Sequence, residues 1–449
     1  NLYGFEIDQR ASQLAALALM LKARSYQRRV FKKEITPNLL CYKDLSLTTD
    51  ELKNTFKQIQ LKLSDNLLQD LQNIQQASNF GSLIMPKTDT KQLSKIIQNV
   101  NIKLNTNDIF LKQSLLQLDE ALAQLVTLSK KHNCVVDNPP YMGSSNVNKD
   151  LSDFVKGCYP DSKFDLMACF MEAGLEALQP KGFLGMINQH SWMFLSNYEK
   201  LRKKLIQNTF FDTQLHLGPR TFPEIGGEVV QNAAFTFWNG TMNQKGIYIR
   251  LVDFNEAELK RNKTVEAIQH RSCGWLYTAN QKDFKKIPGS SIGYWLGKSY
   301  LELFDNNLLG ETEKCKKGAD TGKNDYFLKL WFEVQLKNVD DYWFFYDKGG
   351  SYRKWYGNYD YVINWKSNGT ELKNSSANLR SKHHYFKDSV TWNALSSGNF
   401  CARFSDKKTI FDSAGSSLFL NKKLNNHKTY VALLNTKITQ EILLMINPT

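Results

Sequence analysis

Short apolar runs alternate with amphipathic stretches over the first 250 or so residues, and this alternation constrains the fold most. Leu2 to Ile7 reads as a short strand. DQRASQLAALALMLKARSYQRR follows as a long helix with Leu14, Leu17, Ala18 and Leu21 on one face. Residues 44–131 carry helical patterns rich in Leu, Gln and Lys, broken at SNFGSLIMP. CVVD (134–137) is a short buried strand that runs straight into Asn138-Pro139-Pro140-Tyr141. KFDLMACFMEAGLEAL then reads as a helix stopped by Pro180 and Gly182, FLGMI as a strand, LSNYEKLRKKLIQ as a helix and FDTQLHL as a strand. This order predicts an α/β fold with a parallel, helix-covered sheet, whose far edge is formed by strands near 229–238 and 247–252.

Beyond about residue 270 the texture changes. Long amphipathic helices become rare, and aromatics cluster in YWFFY (342–346) and YRKWYGNYDYVINW (352–365). The expected organisation is a first domain over 1–275, with a helical insertion at about 44–131, and a mixed α+β domain over 290–449. Both ends read as cut: NLYGFEID looks like the end of a buried strand, and LLMINPT stops abruptly.

With 58 Lys+Arg against 44 Asp+Glu, the formal charge is +14, which suits a polyanionic partner; a Lys-rich background is the plainer reading. Cysteines 41, 134, 158, 169, 273, 315 and 401 stand singly, without CxxC spacing, so no zinc or redox motif is expected. Together with the lack of a signal peptide or an apolar run of membrane-spanning length, this reads as a cytoplasmic protein with no membrane contact. His190, His216 and the His383-His384 pair show no metal spacing, and His216, after an apolar strand, reads as a core group.

Two adjacent prolines are unusual in a chain with only 10 of them. An Asn side-chain oxygen accepts a hydrogen bond, and a proline, lacking an N–H, leaves its carbonyl free to point outward. Asn138 and the Pro139 carbonyl together form a pair of acceptors for an exocyclic NH2, locked by Pro140, while Tyr141 offers a ring on which a planar base stacks. Such a site suits methylation of an amino nitrogen. It needs no His or carboxylate, because the proton leaves after the nitrogen has attacked. The structural alternative is a strand-ending turn.

A carboxylate at the end of a strand in a nucleotide-binding sheet binds ribose hydroxyls. Glu6 is the candidate, with Ile7 against an adenine ring and Asp8 capping the helix that starts at Gln9. In SNFGSL, Asn79 and Phe80 are candidates for contacts to the same adenine.

The blocks GFEIDQRASQLAALALMLKAR, DNPPYMGSSN, SKFDLMACFMEAGLEAL, INQHSWMFLSNYEKLRKKL, HLGPRTFPEIGGEVVQNAAF and RKWYG resemble the adenine-specific DNA methyltransferases of BREX phage-defence systems, the PglX family. More distantly the chain resembles type IIG restriction-modification N6-adenine methyltransferases. The resemblance implies a Rossmann-like methyltransferase sheet and S-adenosyl-L-methionine as cofactor. It implies Asn138, Pro139 and Tyr141 as the amino-group motif and Glu6 as the ribose acid. It implies double-stranded DNA, other BREX proteins and phage-encoded inhibitors as partners. The glycine-containing motif for the methionine end of the cofactor is expected before GFEID and is not among these residues.

A duplex adenine must be flipped out before its amine is reached. The aromatic region after 290 is the expected target-recognition domain, with Lys316, Lys317, Lys323, Arg353 and Lys354 as candidate DNA contacts. Arg220 and Phe222, in the loop GPRTFPEIGGE, are candidates for closing over the flipped base or the DNA backbone. Two alternatives stand beside this reading. One is an RNA-base or glutamine-amide N-methyltransferase with the same loop; the other is a non-catalytic DNA-sensing subunit.

Overall fold

The computed structural model describes residues 2–33, 35–222, 230–306, 308–393, 399–421 and 426–446. The chain forms two compact units: Asn1–Lys285 with Gly289–Trp295, and Lys286–Pro288 with Leu296–Thr449.

The first unit is mixed α/β. Strands β1 (Tyr3–Glu6) and β2 (Asn38–Cys41) pair in parallel. Helix α1 (Gln9–Tyr26) connects them and starts where the Asp8 carboxylate accepts the Ala11 N–H at 2.8 Å. The larger sheet holds β3 (His132–Asp137), β4 (Leu178–Gln189), β5 (Phe210–Gly218), β6 (Asn232–Trp238), β7 (Gly246–Arg250) and β8 (Leu276–Ala279). Its spatial order is β3-β4-β6-β5-β7-β8.

This corrects the expectation of a wholly parallel sheet. β3 and β4 are parallel, as are β5 and β7, but β6 lies antiparallel between β4 and β5. Segment 232–238 is therefore interior rather than at the far edge, where β8 lies antiparallel to β7. The cause is local. Only the thirteen residues 219–231 separate β5 from β6, close to the minimum for a parallel crossover.

Between β2 and β3 lie α2 (Thr49–Gln58), α3 (Asp65–Ile74), α4 (Ala77–Phe80), α5 (Thr90–Lys103) and α6 (Ile109–Leu128). Their starts are written in the sequence: a Thr48/Glu51 capping box for α2, and Ser64, Asp89 and Asp108 as N-caps of α3, α5 and α6. Leu52, Phe56, Leu71, Ile74, Leu93, Leu118 and Leu122 are buried between them, each contributing roughly 1.5–3 kcal/mol. α7 (Lys149–Cys158), α8 (Leu166–Glu176), α9 (Glu199–Asn208) and α10 (Ala257–Gln269) complete the unit.

One edge departs from the expected packing. Leu14, Leu17 and Leu21 of α1 are 68%, 56% and 54% exposed, and Val136 of β3 is 81% exposed. The apolar stripe exists, but no described residue covers it.

The first unit runs past residue 275 because two side chains tie the following segment back. Gln281 accepts from the Phe211 N–H at 2.8 Å and donates to the Ile206 and Thr209 carbonyls at 2.8 and 2.6 Å. Tyr294 stacks on Tyr248 at 4.6 Å.

The second unit holds two four-stranded sheets. One contains β11 (Leu328–Leu330), β12 (Trp343–Asp347), β13 (Tyr361–Asn364) and β17 (Thr409–Phe411); the other contains β9 (Lys314–Lys317), β15 (Ser389–Asn393), β16 (Ala402–Ser405) and β18 (Gly415–Phe419). A short pair, β10 (Ala319–Asp320) and β14 (Asn378–Leu379), joins distant segments. Inside this unit Arg403 and Asp347, both buried, approach to 3.5 Å. No helix among the described residues is long and apolar enough to cross a membrane.

Candidate active site

β3 ends at Asp137 and delivers Asn138, Pro139, Pro140 and Tyr141 at the carboxyl end of the β3–β4 parallel pair. Asn138 and Pro140 are exposed, Pro139 is buried and Tyr141 is half-buried. The Tyr141 hydroxyl lies 3.4 Å from both Asn138 Oδ1 and the Ile187 carbonyl of β4. Asn232, the first residue of β6, donates from Nδ2 to that hydroxyl at 3.1 Å and to the Asn188 carbonyl at 3.4 Å. Three strands thus converge on one phenol. Burial pushes the Tyr141 pKa up, against the opposing effect of the Asn232 hydrogen bond, so the hydroxyl keeps its proton.

The segment after Tyr141 is pinned as well. Asp165 caps α8 by accepting the Met167 N–H at 3.0 Å, and the same oxygen accepts the Met142 N–H at 3.1 Å. Met142 answers by accepting the Leu166 N–H at 3.0 Å. The turn that carries the two prolines is therefore fixed on both sides. Asp137 is buried enough to raise its carboxyl pKa, with a backbone hydrogen bond at Asn138 opposing. A cleft of about 740 Å³ opens beside Asp137 and Asn138 and runs along an apolar face past Ile187, Ala234 and Ile249.

The second corner lies at the end of β1. Glu6 Oε1 accepts from the N–H groups of Ile7 and Asp8 at 2.8 and 3.0 Å. Ile7 is 55% exposed. It lies against Gly81, where an added Cβ would meet Ile7 Cγ2 at 3.1 Å and where φ is +52°. The 78–83 segment is held by Asp44, which accepts from Ser78 N–H and Oγ, both at 2.8 Å, and by the Tyr42–Ser82 hydroxyl contact at 3.0 Å.

Asn79 exchanges hydrogen bonds with Asn148, with Asn148 Nδ2 donating to Asn79 Oδ1 at 2.9 Å. Asn148 is the N-cap of α7, so this contact joins the 78–83 turn to the chain that leaves Tyr141. Phe80 is buried and stacks on Phe154 at 4.2 Å, which takes one face of its ring. The residues present fit the ribose and adenine part of a nucleoside cofactor: an acid at a strand end, an exposed Ile beside it, and a glycine where any side chain would crowd that Ile.

The remaining candidates are spread more widely. Arg220 is exposed with φ +55°, and Phe222 is half-buried. Residues 223–229, the rest of the loop expected to close over a base or the DNA backbone, lie outside the described residues. The base of that loop is anchored by Lys260, whose buried Nζ donates to the carbonyls of Leu217, at 2.6 Å, and Pro219. Lys316 and Lys317 lie on β9, an edge strand; Lys317, Lys323 and Arg353 are exposed, while Lys316 and Lys354 are half-buried.

His216 is a buried core group, as its sequence context suggests. Its Nε2 lies 2.8 Å from His190 Nδ1, and its Nδ1 lies 2.9 Å from the Tyr294 hydroxyl. Among the described residues no cluster of His, Cys, Asp or Glu is placed to hold a metal ion.

Sequence reasoning missed Asn232, Asn188 and Asp165. A signal was present for two of them: Asn232 stands at the head of the apolar run AAF and Asn188 directly after the apolar run FLGMI. A buried polar side chain there needs a partner.

Residues 1–222 match the family model of the Eco57I restriction-modification methylase. Over its whole length the chain is 36% identical to the adenine-specific methyltransferase PglX of Lacticaseibacillus casei (strain Zhang). It is 35% identical to the adenine-specific methyltransferase BrxX of Escherichia coli O9:H4 (strain HS). The PglX-family resemblance holds along the whole chain. The chain spans 39% of the length of each of these two relatives. Among solved structures, the DNA complex of the type IIL restriction-modification enzyme MmeI is similar over 69% of this chain and 43% of that one, with TM-score 0.44 and 11% identity.

Proposed function

We propose that the protein is an S-adenosylmethionine-dependent DNA adenine N6-methyltransferase that marks host DNA in a phage-defence system, with the target base flipped into the Asn138–Tyr141 corner. The observation that carries this reading is the convergence of Asn138, Tyr141 and Asn232 at the carboxyl end of the sheet. It is supported by the whole-length similarity to proteins named adenine-specific methyltransferases.

In this mechanism Asn138 Oδ1 and the Pro139 carbonyl accept the two N–H bonds of the adenine amine and hold its lone pair out of conjugation with the ring. Tyr141 supports the base by stacking. Asn232 fixes the Tyr141 hydroxyl, so the ring does not swing when the base arrives. S-adenosylmethionine, when bound, supplies an electrophilic methyl group. Glu6 would hold its ribose, and Ile7 its adenine. The proton released by the methylated nitrogen passes to solvent.

The basic balance of the chain suits the DNA phosphates, and the second unit is proposed as the target-recognition domain. The test is transfer of radiolabelled methyl from S-adenosylmethionine by the purified intact protein. We expect label in duplex DNA, and in no comparable amount in RNA or in a glutamine-containing peptide. Label confined to RNA or peptide favours the alternative methyltransferase, and label in none of them favours a non-catalytic DNA-sensing subunit.

A further inference from the structure

The loop between β12 and β13 combines features that methyl transfer does not use. Gly349, Gly350, Trp355, Gly357 and Asn358 have φ of +88°, +126°, +77°, +122° and +66°. Glycine adopts such angles freely and Asn tolerates them, but a bulky aromatic does so only under constraint. The constraint is visible. Trp355 N–H donates to the Ala402 carbonyl at 3.0 Å, and the Trp355 carbonyl accepts the Phe404 N–H at 2.9 Å. The residue is thereby bridged to β16 on both sides of Arg403, the buried partner of Asp347. Asn358, itself buried, donates to the Ser351 carbonyl at 2.9 Å and closes the loop on itself. Gly357 lies so close to Arg353 that a Cβ would meet Arg353 Cδ at 3.1 Å.

A segment this firmly held would ordinarily bury its large side chains. Here Tyr352, Trp355 and Tyr356 are 53%, 56% and 59% exposed. Residues 348–360 carry three cations, Lys348, Arg353 and Lys354, against one carboxylate, Asp360, at the far end of the loop. Strained backbone that presents a tryptophan to solvent is the pattern of a ligand contact, and rigid aromatics beside cations fit nucleic acid, whose bases stack while its phosphates pair.

We propose that this loop is a preformed stacking platform for nucleobases of the bound DNA, centred on Trp355, with Arg353 and Lys354 on the adjoining phosphates. The proposal rests on the reading of the protein as a DNA methyltransferase. Trp355 contacts a base that the DNA exposes as it is distorted, so its contribution is a stacking energy and is nearly independent of salt. Arg353 and Lys354 supply the salt-dependent share.

The test uses the intact protein and a fluorescein-labelled mixed-sequence 30-base-pair duplex, with anisotropy titrations at several salt concentrations. Trp355→Gly removes the ring and also relieves the backbone. We expect affinity to fall about 5- to 100-fold at every salt concentration, while the melting temperature holds or rises by about 2 °C. Trp355→Phe should recover most of the affinity. Arg353→Ala combined with Lys354→Ala should reduce the slope of log affinity against log salt by about 2. Unchanged affinity in Trp355→Gly, with the wild type binding the duplex, overturns the platform and leaves the methyltransferase reading standing. A wild type that binds no duplex at all overturns both.

Discussion

The two corners of the first unit are built by different means. At the Asn138–Tyr141 corner one phenol is touched by groups from three separate strands, and the turn beyond it is tied to the start of α8. At the Glu6–Ile7 corner the carboxylate is held by the two backbone amides that follow it, and the neighbouring apolar residues of α1 and β3 stay exposed. A corner assembled from distant strands is fixed only once the sheet has formed, and it then holds its geometry without a ligand. A corner built from adjacent residues forms early and keeps its acid facing the right way, but it gains rigidity from whatever packs on it. We read the first as the preorganised seat of the base and the second as the seat of the cofactor, which binding completes.

That contrast can be broken in four ways. Asn138→Ala removes the acceptor proposed for the bound amine, together with the 3.4 Å contact from the Tyr141 hydroxyl. It should lower kcat for DNA by roughly 10²- to 10³-fold with little change in the affinity for S-adenosylmethionine, read by single-turnover kinetics and calorimetry; an equal loss of cofactor affinity would merge the two corners.

The second concerns the buried His190–His216 pair. Burial pushes the His190 pKa down to about 4 and that of His216 lower than usual, the latter also because His190, Arg250 and Lys260 lie nearby. The folded state thus binds fewer protons than the unfolded chain, and stability is present above the ordinary histidine pKa, about 6.5. It should fall as the pH drops from there towards about 4, by up to roughly 1.4 kcal/mol per pH unit for each histidine. Thermal melts across that range read the slope, and His190→Gln should reduce it without abolishing it, because His216 and His384 are shifted the same way.

Third, Asn232→Ala removes the donor to the Tyr141 hydroxyl, which keeps its contacts to Asn138 and Ile187. Of the two neutral hydrogen bonds lost, only the one to Tyr141 reaches the base corner, so kcat should fall about tenfold or less, with Asn232→Gln recovering part of the loss. Fourth and smallest, Glu6→Gln should weaken S-adenosylmethionine binding several-fold through the loss of charge on the ribose acid, with kcat at saturating cofactor preserved. A fall in kcat larger than that of Asn232→Ala would show that the Glu6 corner also shapes the base site.

Much of the first unit was legible in the sequence because its signals are local. Asp8 precedes a helical stripe and caps it, and Thr48-x-x-Glu51 announces α2. The apolar runs of β3, β4 and β5 are bounded by turn residues. What was hidden depends on partners far along the chain. β2 is only four residues, NLLC, and becomes a strand by pairing with β1, some 35 positions earlier. The interior place of β6 follows the short separation of β5 and β6 in the chain, which a reading of apolar runs does not weigh. Asn232 meets Tyr141 across 91 positions, and no periodicity connects them. In the second unit the cluster YRKWYG was visible as composition, but the clamp on Trp355 comes from β16, nearly fifty residues downstream.

We propose that Asn138 and its neighbours hold an adenine amine drawn from duplex DNA. Single-molecule sequencing of host DNA for N6-methyladenine tests it most directly, comparing cells that carry the wild-type protein and its partner genes with cells that carry Asn138→Ala. The account requires N6-methyladenine at one sequence motif in the first and its loss in the second, with equal protein levels. Methylation that persists with Asn138→Ala, or a wild-type genome without motif-specific N6-methyladenine, would contradict it.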